Sequence, residues 1–287
     1  MPYNQKFGES HDPMQIAIQG EPGSFSHEAT LKFAPEATIF PCGFSPEVFS
    51  ALIEGRVEAA VIPIENSLAG SVAEHYDLLL SHAVAIEREL LLRIRHNLIA
   101  VPGTHLDQIQ RVYSHPVALA QCRRFFESHP EIEAIPFYDT AGSVKQLMEL
   151  RDRSSAGVAS TQAAVHYGGE VLESGIEDNP ENYTRFFLIR RRSEALADPG
   201  ADKVSLAFTV ENRPGTLVEA LQVFAGQGTN LTRIESRPVP GQPWHYVFYA
   251  DYQLTNQLSA DAALELLGSY CSMVKELGRY RAGAAPI

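Results

Sequence analysis

Between Gln15 and about residue 190 the chain alternates short apolar runs with stretches of helical spacing, a pattern that a sheet covered by helices can bury. The predicted strands are Gln15 to Gln19, Val57 to Ile64, Asn97 to Val101, Arg111 to Tyr113, Ile132 to Phe137, Ala156 to Ala159 and Arg185 to Ile189. An α/β fold with a mostly parallel sheet is expected. The best-marked helix is Pro46 to Glu54: Ser45 is placed to cap it, Pro46 suits its first turn, Val48, Phe49, Leu52 and Ile53 share one face, and Gly55 can close it. Residues 193–202 are polar, contain Pro199 and Gly200 and show no periodicity, so they read as a linker. Beyond it the expected order is strand Lys203 to Val210, helix Gly215 to Ala225, strand Asn230 to Arg237, turn Pro238 to Pro243, strand Trp244 to Tyr252, helix Ala260 to Gly268 and strand Met273 to Tyr280. That βαββαβ order is ferredoxin-like. So small a domain leaves a sheet face or edge for a partner, and oligomerisation through it is expected.

Composition narrows the partners. A net charge of −12 opposes nucleic-acid binding, and Arg190-Arg191-Arg192 is too short a basic run to reverse it. The first fifteen residues, Met1 to Gln15, are polar and lack the apolar core of a secretion signal, and no apolar run approaches membrane-spanning length. A cytoplasmic protein with no membrane partner is expected. Cys42, Cys122 and Cys271 are far apart and form no CxxC pair, which argues against a disulfide framework or a zinc site.

Four turns share one design, an apolar strand running into Gly, Ser, Thr or Asn and then a helix: Gly20 to Ser26, Glu65 to Ser71, Ser114 to Pro116, and Ser160-Thr161. At the carboxyl ends of parallel strands such turns converge where ligands bind, and free helix N–H groups with Ser, Thr and Asn side chains suit carboxylates. Each turn alone reads more readily as an ordinary helix cap, and the four together with Arg185 shift the balance. Thr184-Arg185-Phe186-Phe187 is a fifth candidate, in which a polar loop hands a hydroxyl and a guanidinium to a buried strand; alone, it reads as a plain strand entry. His75, His115 and His166 are possible acids, each more often a packing or surface residue, and His115 inside Ser-His-Pro is the one to test.

Pro63-Ile64-Glu65-Asn66-Ser67, Ser114-His115-Pro116 with Ala120-Gln121-Cys122, and Asn182-Tyr183-Thr184-Arg185-Phe186 resemble, in order and spacing, the motifs of the prephenate dehydratase family. Asn212-Arg213-Pro214-Gly215-Thr216-Leu217-Val218 and Asn230 to Pro238 resemble the phenylalanine-binding segments of the ACT domain attached to that enzyme, with Thr216 where many members have Ala. The resemblance implies a two-lobed catalytic domain similar to type II periplasmic binding proteins over residues 14–192, a linker over 193–202, and an ACT domain over 203–281. It implies conversion of prephenate to phenylpyruvate, water and carbon dioxide, with no metal or organic cofactor and with L-phenylalanine as effector. Thr184, Asn66 and Gln121 are then the catalytic candidates. Arg185 could hold a substrate carboxylate, and Ser24, Ser67, Ser114, His115, Thr161 and Phe186 complete the substrate-binding set. Asn212, Arg213, Pro214, Gly215, Thr216, Leu217, Glu235, Ser236, Arg237 and Pro238 would meet the effector between two ACT domains of a homodimer or homotetramer. Arogenate dehydratase, or a non-catalytic small-anion-binding protein of the same fold, remain the alternatives.

Overall fold

The structure is a computed structural model that describes residues 13–284 apart from 240, 255 and 256. Residues 1–12 of the polar amino-terminal stretch and Pro240 of the expected turn therefore lie outside the described residues.

A first lobe is built from β1 (Gln15–Gln19), α1 (Phe25–Phe33), β2 (Thr38–Cys42), α2 (Ser45–Ile53), β3 (Ala59–Asn66), β4 (Gly70–Ser71), α3 (Ala73–Ser81) and β5 (Val84–Arg93). The chain then crosses to a second lobe of β6 (Asn97–Ala100), β7 (Arg111–Ser114), α4 (Pro116–Ala120), α5 (Arg123–Ser128), β8 (Glu133–Pro136), α6 (Thr140–Leu150), β9 (Ser155–Ala159), α7 (Thr161–Tyr167) and β10 (Glu170–Ser174). It returns through β11 (Tyr183–Arg191). The remaining elements are β12 (Lys203–Thr209), α8 (Thr216–Gly226), β13 (Leu231–Pro238), β14 (Tyr246–Gln253), α9 (Gln257–Gly268) and β15 (Met273–Tyr280), the βαββαβ order read from the sequence. Among the described residues no helix is long and apolar enough to cross a membrane.

The two crossings run side by side. Ile94 N donates to Asn182 O at 2.7 Å, Gly175 N and Ile176 N both donate to His96 O at 2.9 Å, and His96 N donates to the Glu177 carboxylate at 2.9 Å. These bonds satisfy backbone groups that would otherwise be stranded between the lobes.

The sheets are mixed, not mostly parallel. The larger runs β13-β14-β12-β15-β5-β11-β3-β1-β2, and β11 is antiparallel to both of its neighbours, β3 and β5. The smaller, β10-β6-β9-β7-β8, carries antiparallel pairs at β10 and β6. The expectation missed β5, which pairs with β11 from Val84–Arg191 to Arg93–Tyr183. Its Glu, Arg and Leu residues favour helices, and burial between β11 and β15 overrides that local preference. Nor does Ser45 cap α2, whose N-cap is Phe44 with no side-chain bond; the Ser45 hydroxyl donates to Gln19 Oε1 at 3.0 Å.

The ferredoxin-like sheet does not stand apart. Its outer strand β15 joins β5 in parallel at Gly278↔Ile86, and a Cβ at Gly278 would collide with the Ile86 backbone, so only glycine permits the approach. One core accordingly runs from Phe49 and Leu52 through Phe187 to Tyr249, Leu277 and Tyr280. On the opposite face, α8, through Phe224, and α9 cover Leu206, Phe208 and Tyr252 of the sheet.

Candidate active site

Strands β3 and β11 place Asn66 opposite Thr184 and Glu65 opposite Arg185. Because strand side chains alternate, neighbours in sequence face opposite ways. Asn66 and Thr184 face the seam between the lobes, whereas Glu65 and Arg185 face the carboxy-terminal sheet.

On the seam, Asn66 Nδ2 donates to Thr184 Oγ1 at 2.9 Å and to Asn182 Oδ1 at 2.7 Å, while Asn66 Oδ1 accepts from Leu68 N and Ala69 N. Asn182 Nδ2 donates to Gln121 Oε1 at 3.0 Å, and the same oxygen takes a 2.8 Å bond from His96 Nε2. The chain Thr184, Asn66, Asn182, Gln121, His96 thus joins the first lobe, the return crossing and the second lobe. Burial holds His96 below its ordinary pKa, so its ring is neutral with Nε2–H as the donor. Two consequences matter for chemistry. With its oxygen occupied twice, Gln121 keeps its –NH2 for a ligand, and Thr184, accepting from Asn66, keeps its own proton to donate.

Asn182 had no assigned role, although it belongs to the motif with Thr184. It is fully buried and supplies both bonds that join Asn66 to Gln121. Asn182→Asp replaces the donor to Gln121 with a second acceptor facing an acceptor, and a kcat about 10-fold or more below wild type is expected from steady-state kinetics.

The other expected ligands divide. Ser67 accepts from Tyr183 N and donates to Glu181 O, tying the turn after β3 to the loop before β11. Thr161 Oγ1 accepts from Asn97 Nδ2 at 3.2 Å, His115 accepts from Val117 N as the cap of α4, and Ser24 caps α1. Ser114 is withdrawn as a ligand: it is fully buried and its hydroxyl donates to Val158 O at 2.6 Å. Phe186 is withdrawn too, since it packs inside a core with Ile16, Ile18 and Leu188. His75 is structural, bonded to Pro63 O and Ser45 Oγ.

Arg185 is the main correction. Its guanidinium is turned away from the seam and donates to Asp251 Oδ2 at 2.6 Å and to Tyr280 OH at 3.0 Å. Nε lies in ion-pair contact with Glu89 without a directed hydrogen bond, and the group stacks 4.7 Å from the Phe187 ring centroid. It is not free to hold a substrate carboxylate. Cations that border cavities on the lobe side are Lys145, in a space of about 880 Å³ shared with His115, Gln19 and Asp139, and Arg123, in one of about 160 Å³ shared with Gln121 and Asn182.

The turns partly converge. Ser160 Oγ donates to Gly23 O at 2.6 Å, closing the turn after β1 on the start of α7, and Lys145 reaches Glu21 across the same seam at 3.0 Å. Gly23 N donates to His27 Nδ1 at 2.8 Å, which requires a neutral ring. Burial, then repulsion from His166, pulls the His27 pKa from 6.5 down to about 4. The unfolded chain therefore binds a proton that the folded one refuses, so stability is lost as pH falls from 6.5 towards 4. A dry ring would make this about 3 kcal/mol. The contact with exposed His166 brings in solvent screening, and about 1–2 kcal/mol is expected. Denaturation of wild type and His27→Gln at pH 7 and pH 4.5 checks it: the variant loses that part of the pH slope.

In the carboxy-terminal domain, Asn212, Arg213, Gly215, Thr216 and Leu217 border a cavity of about 190 Å³ whose far wall is Trp244, His245, Tyr246 and Phe248. Those aromatics follow the expected turn and carried no signal beyond their composition. The Thr216 hydroxyl is turned into its own loop, donating to Glu211 O at 2.7 Å. Strand alternation divides the second expected segment. Ser236 stands opposite Phe248, but Glu235 bonds Ser71 and Arg237 holds Asp77 of α3 through two bonds of 2.9 and 2.6 Å. Pro238, with Arg237, borders a separate cavity of about 360 Å³ against α3.

Comparison with known families locates this arrangement. The prephenate dehydratase profile matches residues 16–194, and the ACT domain profile matches residues 204–267. The chain belongs to the prephenate dehydratase family. Among its relatives, the Arabidopsis thaliana protein named arogenate dehydratase/prephenate dehydratase 2, chloroplastic, is 37% identical, with 93% of this chain and 72% of the relative aligned. The Arthrobacter aurescens prephenate dehydratase solved in complex with L-Phe superposes with a TM-score of 0.84 at 34% identity, covering 93% of this chain and 89% of that one. GqqA, described as a novel type of quorum quenching acylases, superposes at 0.86 and 34% identity, covering 94% and 98%. This prephenate dehydratase family member thus shares its overall fold with both solved structures over more than nine-tenths of its length.

Proposed function

We propose that the chain converts prephenate to phenylpyruvate at the seam formed by Thr184, Asn66 and Gln121. In the reaction the bond from the ring to its carboxylate breaks, its electron pair enters the ring, and the C4 hydroxyl leaves with a proton as water. Aromatisation supplies the driving force, so the enzyme's task is to stabilise the departing oxygen. The observation that carries the reading is the Asn66–Thr184 bond, 2.9 Å, in which Thr184 accepts and so retains its own O–H for the leaving group. The bond that this O–H donates to the C4 oxygen strengthens as charge develops there, which is the condition for lowering a barrier. The Gln121 amide supports the same site as a second neutral donor that adds no negative charge beside a dianionic substrate. Substrate carboxylates fall to the turn N–H groups and to Lys145 or Arg123, whose ion pairs with Glu21 and Asp178 are open to solvent and can be exchanged, whereas Arg185 is buried with its partners.

L-phenylalanine is the proposed effector, bound in the cavity behind Asn212 to Leu217. The exposed edge strand β13, with Ile234 45% exposed, is the proposed contact for a second copy in a homodimer or homotetramer.

The arogenate reading is kept alive by the double name of the Arabidopsis relative. Acyl transfer is less supported: Cys122 is buried with its thiol pushed up by that burial, and the Ser114 hydroxyl is committed to Val158. Product analysis decides among the three. Phenylpyruvate from prephenate at a higher kcat/KM than phenylalanine from arogenate is expected. No product from either substrate overturns the assignment.

A further inference from the structure

Each of the two seam residues on the paired strands is joined, one residue away, to a charged side chain that binds the ACT domain. On β11 Thr184 is followed by Arg185, which reaches Asp251 and Tyr280; on β3 Asn66 is preceded by Glu65, 3.2 Å from Arg233. Glu65 and Arg185 face each other across the pair, 3.9 Å apart, on the side opposite Asn66 and Thr184. The ACT side of the cluster is tightly built. Ser205 bonds both Asp251 and Tyr280, and Lys203 holds Glu89 at 2.9 Å, while Arg185, Asp251 and Tyr280 are all buried. Residues from β5, β14 and β15 therefore meet at the guanidinium carried by β11, and Lys203 and Ser205 of β12 hold those partners in turn.

We propose that Arg185 is a positioning residue for Thr184, through which the state of the ACT domain sets the geometry of the catalytic hydroxyl. The physical link is short. Adjacent residues share a rigid peptide plane, so a displacement of the Arg185 anchor tilts the Thr184 Cα–Cβ direction on the other face of the strand. A register shift between Arg185 and Phe186 in the β11–β3 pairing marks where the ladder yields. Because the hydroxyl must sit within hydrogen-bond reach of one departing oxygen, a shift below 1 Å is enough to change the rate, about 100-fold per 1 Å in well-ordered sites. Packed cores and buried ion pairs move between discrete arrangements, which lets an effector bound more than one strand away bias this one.

The inference rests on the effector reading given above, and the test keeps the two apart. Asp251→Asn and Tyr280→Phe alter the cluster only from the ACT side. Steady-state kinetics without effector, inhibition curves with L-phenylalanine and calorimetric phenylalanine binding are measured on both and on wild type. The expected result is a kcat about 3- to 10-fold below wild type with KM within twofold, phenylalanine binding within threefold, and at least a halving of the logarithm of the maximal inhibition. A merely structural role would lower the melting temperature and leave those ratios alone. If Asp251→Asn does not fold, Tyr280→Phe, which removes one hydroxyl, decides. Folded variants that respond to phenylalanine as wild type does overturn the coupling, whatever happens to kcat. If wild type itself binds no phenylalanine at millimolar concentration, the effector reading fails separately, and the positioning role stands or falls on the kcat change at constant KM.

Discussion

Thr184→Ala is expected to lower kcat by about 10²- to 10⁴-fold, equivalent to about 3 to 5 kcal/mol of transition-state stabilisation. The expectation follows from the direction of one bond. Asn66 donates to Thr184, so the Thr184 proton has no partner among the described residues and is aimed by its acceptor contact. A neutral hydroxyl is a weak acid, but a hydrogen bond that tightens on a departing hydroxide acts in the transition state far more than in the bound substrate. KM should therefore change little. Thr184→Ser keeps the O–H and loses the methyl that restricts its rotamer, so it should retain activity within about 10-fold of wild type. Phenylpyruvate release, followed for wild type and both variants, checks the pattern; a rise in KM at unchanged kcat would make Thr184 a binding group.

Why the site was half legible follows from strand geometry. The hydroxyl, the two amides and their order along the chain could be read from short motifs, because those residues act by their own functional groups. The facing of Arg185 could not. The run Phe186 to Ile189 announces a strand buried on both sides, but which side is the seam and which the ACT domain depends on β15 joining β5, a contact between residues about 190 positions apart. The same blindness divides the effector segment, where Glu235 and Arg237 turn to the catalytic domain while Ser236 stands opposite Phe248. The helix-favouring composition of β5 hid the strand that makes both arrangements possible.

Arg185→Leu should destabilise the protein by about 3 to 5 kcal/mol at pH 7, because it leaves the buried Asp251 carboxylate without its cation, while Glu89 keeps Lys203. Leucine is apolar and close enough in volume to the guanidinium stem that packing against Phe187 is largely kept, so the loss is electrostatic. Burial by itself would raise the Asp251 pKa, but the nearby Arg185 charge and the bonds from Arg185 and Ser205 win and hold it below 3.8. In wild type that stabilisation is present above 3.8 and is lost as pH falls through the lower folded value. Without Arg185 the burial effect dominates and the sign reverses: the carboxylate is costly while charged and tolerable once protonated. The gap between wild type and Arg185→Leu in denaturant unfolding should accordingly narrow as pH is lowered from 7 towards 4. Adding Asp251→Asn to Arg185→Leu should recover much of the loss at pH 7, since the remaining cost comes from the charge left behind and not from a missing attraction. Equal stabilities for the single and double variants at pH 7 would mean that water reaches the cluster and that the ACT domain is not held to β11 by charge.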